Sequence, residues 1–112
     1  MGTPDVVLQW WEGCPSTERA RAELREVMDD LGLEGVEIRM REVEGDDEAR
    51  TMRFPGSPTI LIDGRDVVTP NPDEPIGLTC RVYRRRDSTI APTPDPADLR
   101  QALQEALQAV GR

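Results

Sequence analysis

The sequence predicts one α/β domain over residues 1–112, a central mixed four-stranded sheet flanked by about three helices. Three observations carry this expectation. Short apolar runs rich in β-formers alternate with segments of helical spacing. The alternation then gives way to a hairpin signal in the second half. Nothing repeats internally, and no composition shift marks a domain boundary. The length fits one ordinary domain that can bury a core without staples.

Val6-Val7-Leu8-Gln9-Trp10-Trp11 reads as a buried strand. Glu12-Gly13-Cys14-Pro15 punctuates its end, and Pro15 suits the first position of a helix, where its missing N–H costs nothing. Ala20, Leu24, Val27, Met28 and Leu31 then form one helical stripe, with Arg19, Glu23, Arg25 and Glu26 on the other side and Gly32 as a stop. Val36-Glu37-Ile38-Arg39-Met40 alternates as a strand with one buried face. Gly45-Asp46-Asp47 opens a short helix that ends near Met52. Phe54-Pro55-Gly56-Ser57-Pro58 cannot be regular structure. Thr59-Ile60-Leu61-Ile62 follows as a strand, Asp63-Gly64 turns, and Asp66-Val67-Val68 pairs back as a hairpin. Residues 69–75 read as an exposed loop, residues 78–84 as a short strand or irregular chain, and residues 85–95 as polar and proline-containing, with no strand assigned. Asp95 caps a final helix with Pro96 in its first turn. Its buried stripe is Leu99, Leu103, Ala106, Leu107 and Val110, and Gly111 ends it.

Composition narrows the chemistry. The formal net charge is −8, which disfavours nucleic acid and anionic membrane surfaces as partners. No stretch approaches the length of a spanning helix. Met1 to Asp5 lacks a basic region followed by an apolar core, so no secretory signal is expected and the cytoplasm is the default. All fourteen cationic side chains are arginine, a mark of a GC-rich genome. There are two cysteines and no histidine, so histidine-based acid/base chemistry and Cys2His2 zinc sites are excluded. Chemistry here falls to thiols, hydroxyls, carboxylates or backbone groups, with no cofactor and no metal site implied. Glu42, Glu44, Asp46, Asp47 and Glu48 lack a ligand spacing and read as a solvated turn. Arg81, Arg84, Arg85 and Arg86 form the basic cluster, read as a solvated face or internal ion-pair partners, with an anion site as the sharper alternative.

The element order resembles the thioredoxin-like superfamily over nearly the whole chain. Two motifs strengthen the likeness: Trp10-Trp11-Glu12-Gly13-Cys14-Pro15-Ser16-Thr17 at a strand-to-helix junction, and Gly56-Ser57-Pro58-Thr59 leading into a strand. The resemblance implies a reactive thiol at Cys14 and a cis Pro58 lying against it. Thr17 stands where a thioredoxin has its second cysteine, so a dithiol inside the motif is impossible and the spacing is nearer to monothiol variants. Residues 77–83 have no thioredoxin counterpart and look similar to uncharacterised bacterial thioredoxin-like proteins labelled as alkylmercury-lyase-related.

A helix N-terminus favours a thiolate, and Thr17 is placed to donate to the sulfur through its hydroxyl or its backbone N–H, while the negative charge of Glu12 opposes the anion. A bent prolyl peptide leaves the N–H and C=O groups of Ser57 free to pair with an extended peptide. The expected catalytic residues are Cys14, Cys80 and Thr17, and the expected substrate-binding residues are Trp11, Ser57, Pro58 and Thr59. Trp10 and Trp11 point to opposite faces, Trp10 into the core. Cys80 either forms a disulfide with Cys14, which needs Cα atoms within about 7 Å, or stays a lone thiol on an edge strand. Three functions follow: a thiol-redox protein acting on a protein or small thiol/disulfide substrate, a non-catalytic module that binds a protein partner, or a soft-metal or organomercurial thiol binder.

Overall fold

A computed structural model describes residues 3–110. Gly111, expected to end the last helix, and the side chain of Val110 lie outside the described residues. The elements run β1 (Val6–Trp10), α1 (Thr17–Asp30), β2 (Ile38–Glu42), α2 (Asp46–Met52), β3 (Thr59–Ile62), β4 (Arg65–Asp66), β5 (Tyr83–Arg84), β6 (Ile90–Ala91) and α3 (Pro96–Val110). The sheet order is β2-β1-β3-β4. β1 lies parallel to β2 and antiparallel to β3, and β3 is antiparallel to β4. The parallel step from β1 to β2 is made through α1, as a crossover requires. β5 and β6 form a separate two-stranded ribbon.

The main core lies on one face of the sheet. Val6 and Leu8 of β1 and Ile60 and Ile62 of β3 meet Leu24 and Met28 of α1 and Leu99 and Leu103 of α3. Full burial of each such side chain is worth about 1.5–3 kcal/mol. α1 ends where Gly32 takes a positive φ of 79°, and the Leu33 amide donates back to the Met28 carbonyl at 2.9 Å. α3 starts as expected: Asp95 Oδ1 accepts from the Ala97 amide at 2.9 Å. A second, smaller cluster joins Val43, Ala49 and Phe54 with Trp11, Met52 and Leu78.

Four expectations shift. The second strand begins at Ile38 rather than Val36, and only Ile38 in it is buried. β2 is the sheet edge, paired only with β1 among the described residues, and its residues from Arg39 on are exposed. The second hairpin strand is Arg65–Asp66, not residues 66–68. Residues 85–95 hold β6, which a two-residue strand without alternation does not announce. The first helix starts at Thr17 with Ser16 as its N-cap, so Pro15 belongs to the preceding turn.

Candidate thiol site

Gln9 of β1 pairs with Thr59 of β3 in antiparallel register. The residues just after β1 and just before β3 therefore meet at one end of the sheet. Cys14 lies on the first of these segments, and the cis Ser57-Pro58 peptide on the second.

The Cys14 turn is closed by its own amide, which donates to the Trp11 carbonyl at 3.0 Å. Gly13 is required by its neighbour: a Cβ there would meet two ring carbons of Trp11 at 2.2 Å. Cys14 is buried, 8% exposed, and belongs to neither apolar cluster. No side chain caps the first amides of α1, so donors remain at the helix end that Cys14 precedes. The expectation that the Thr17 hydroxyl donates to the sulfur is corrected. The hydroxyl donates to the Cys14 carbonyl at 3.5 Å, the turn-back bond natural to a threonine three residues on. Beside the turn, a cleft of about 560 Å³ is walled by Trp11, Glu12, Gly13, Glu42 and Glu44.

Both thiols are free, Cys14 buried and Cys80 exposed, so the disulfide entertained between them is not formed in this structure. Cys80 forms an isolated parallel bridge with Ser57. The Ser57 amide donates to the Thr79 carbonyl at 2.9 Å, and the Arg81 amide donates to the Ser57 carbonyl at 2.8 Å. The expectation that these Ser57 groups stand open is therefore corrected: the chain's own segment fills them. Trp11 adds a third bond, Nε1 to the Thr79 carbonyl at 3.0 Å. Gly56, at φ 118°, makes room for this approach, because a Cβ would lie 2.9 Å from Thr79 Oγ1 and 3.1 Å from the Arg81 nitrogen. Pro58 and Thr59 are buried. The Thr59 hydroxyl donates to the Gly56 carbonyl at 2.6 Å. Trp10 packs against the main core and Trp11 against the second cluster, on separate sides as the alternation predicts.

The sequence reading missed the support behind Pro58. The Arg81 guanidinium, its side chain 2% exposed, meets Asp66 Oδ2 at 2.8 Å. It also donates to the Val68 carbonyl at 2.7 Å and to Thr59 Oγ1 at 3.2 Å. It stacks on the Tyr83 ring at 4.6 Å. The Tyr83 hydroxyl donates to the Pro58 carbonyl. Burial pushes the Tyr83 pKa up, which keeps the donor protonated. Burial also pushes the Asp66 carboxyl up, with the positive charge of Arg81 pulling against it. One signal was available: Arg81 and Tyr83, two apart in an extended segment, share a face, while Val82 between them is 58% exposed. Of the other basic residues, Arg85 bonds Thr93 and Arg86 bonds Asp98 and Gln101. Arg85 also approaches Glu23 at 3.9 Å, so the ion-pair reading of the cluster holds for Arg81, Arg85 and Arg86.

Comparison with protein-family models, curated proteins and solved structures gives no match. Among the described residues, no helix is long and apolar enough to cross a membrane. Among the same residues, no group of three or more His, Cys, Asp and Glu side chains gathers as a metal site.

Proposed function

We propose that this chain is a thioredoxin-like thiol-redox protein with Cys14 as its nucleophile and Cys80 as the resolving thiol. One observation carries the reading: the chain's two cysteines flank the same end of the sheet. Cys14 lies on the turn after β1, and Cys80 is bridged to Ser57 just ahead of β3. Trp11 links them, bonding the Cys14 amide through its carbonyl and the Thr79 carbonyl through its indole. The element order and the order β2-β1-β3-β4 also suit the thioredoxin-like resemblance.

The Cys14 thiolate attacks one sulfur of a disulfide RS–SR. A Cys14–S–S–R bond forms and RS⁻ leaves. The Cys80 thiolate then attacks the Cys14 sulfur, releasing the second RS⁻ and joining the two cysteines. The substrate gains two electrons, the protein loses two, and an external thiol restores it. A cytoplasmic setting fits, because thiols there are kept reduced. A non-catalytic binding module has less support, since the Ser57 edge and Arg81 and Arg86 are engaged internally.

The test uses the reduced chain and 2-hydroxyethyl disulfide. Cys14→Ser abolishes exchange, and Cys80→Ser accumulates the mixed disulfide on Cys14, read by intact mass. Exchange that persists undiminished in Cys14→Ser refutes the reading.

A further inference from the structure

We propose that residues 78–82 are a built-in strap that makes the Cys14 site selective for low-molecular-weight disulfides over disulfides held in an extended polypeptide. This rests on the redox reading above and adds a substrate class to it.

An extended substrate chain gains its register from main-chain hydrogen bonds to an open edge. At this site the open edge would be Ser57, the last residue before β3 with its pair of backbone groups. Both are taken. Its amide serves Thr79 and its carbonyl serves Arg81. The strap is fastened at its centre and at both sides. Trp11 Nε1 holds the Thr79 carbonyl. Gly56 lets the strap approach without a side chain between them. Arg81 anchors the far side in the ion pair with Asp66 and the bond to the Val68 carbonyl. A polypeptide must displace all of these to use Ser57. A small disulfide needs only to reach the sulfur of Cys14, which retains 8% exposure. The step is the same exchange: a Cys14–S–S–R bond forms as RS⁻ leaves.

Two probes with matched electrophiles test this on the reduced full chain. One is 2-hydroxyethyl disulfide. The other is an unstructured peptide whose single cysteine is joined to 2-mercaptoethanol. Each rate is divided by that of free 2-mercaptoethanol with the same probe. The small probe is favoured at least tenfold, and Trp11→Phe, which releases one fastening bond, narrows that preference about fivefold. Hydrogen exchange on the wild-type chain supplies a readout independent of reactivity: the Ser57 and Arg81 amides are protected. Equal normalised rates, or a faster peptide, overturn the selectivity while leaving the redox reading intact. Unprotected Ser57 and Arg81 amides overturn the strap whatever the rates. Protected amides with no Cys14-dependent exchange on either probe overturn the redox reading and the selectivity with it. The wild-type measurements need no variant, so they decide the matter even if Trp11→Phe does not fold.

Discussion

Arg81→Met removes the charge that faces Asp66 while keeping most of the side-chain volume. The ion pair is short, 2.8 Å, and its carboxylate side is 14% exposed. Breaking one partner of such a buried pair costs about 3–5 kcal/mol, and the residual exposure of Asp66 places this case near the lower figure. The Val68 carbonyl and the Tyr83 ring lose their cation in the same change. Urea unfolding at neutral pH should therefore show a loss of about 3 kcal/mol, large against the few kcal/mol by which domains are stable. A double-mutant cycle with Asp66→Asn isolates the pair and should return a coupling of about 1 kcal/mol or more. The pH dependence follows from sign. Burial already raises the Asp66 carboxyl above its ordinary value against the pull of Arg81, and without Arg81 it rises further. An acid with a raised folded-state value contributes most stability when protonated and loses that contribution as pH climbs through the folded value. The deficit of Arg81→Met should thus grow from acid toward neutral pH. A loss below about 0.5 kcal/mol, the range of an ordinary surface substitution, would refute the structural role given to the Arg81–Asp66 pair.

Asp95→Ala removes the carboxylate that accepts from the Ala97 and Arg86 amides, costing about 1 kcal/mol in thermal or urea unfolding at neutral pH. Those amide bonds hold the Asp95 carboxyl below its usual range. Its contribution is present above the unfolded value and fades as pH falls through the folded one, so wild type and variant converge in acid. Gly13→Ala forces the Trp11 ring aside and should cost about 1–3 kcal/mol and lower the protection of the strap amides. Glu12, Glu42 and Glu44 around the cleft beside Cys14 should make a cationic aminothiol disulfide react faster than an anionic one of equal size. That ratio should shrink toward unity with added salt.

Much of the frame could be read from periodicity. The stripes of α1 and α3 and the runs of β1 and β3 are apolar at the spacing their packing uses, so each announces its own burial. The site was legible in part: Cys14 and Ser57 stand at punctuated ends of adjacent strands, and strand order brings such ends together. The strap was not legible, because it attaches through the backbone groups of Thr79 and Arg81, one indole and one guanidinium, which leave no apolar trace. For Arg81 the sequence leaves a solvated face and an internal ion pair both open, since a charged residue is rarely enclosed without a partner and that partner is distant in sequence. That partner, Asp66, lies fifteen positions earlier, on a hairpin strand whose bounds differ from the expected ones.

The neighbouring indoles also give the molecule two separate optical reporters. Trp10 is packed against the main core, and its ring nitrogen is buried without a hydrogen-bond partner, whereas Trp11 is bonded to the segment that closes the Ser57 edge. Trp10→Phe leaves one fluorophore that senses the detachment of that segment. Trp11→Phe leaves one that senses the loosening of the helices from the sheet. Followed side by side through a denaturant series, their emission distinguishes a chain that first unlatches locally from one that melts in a single step.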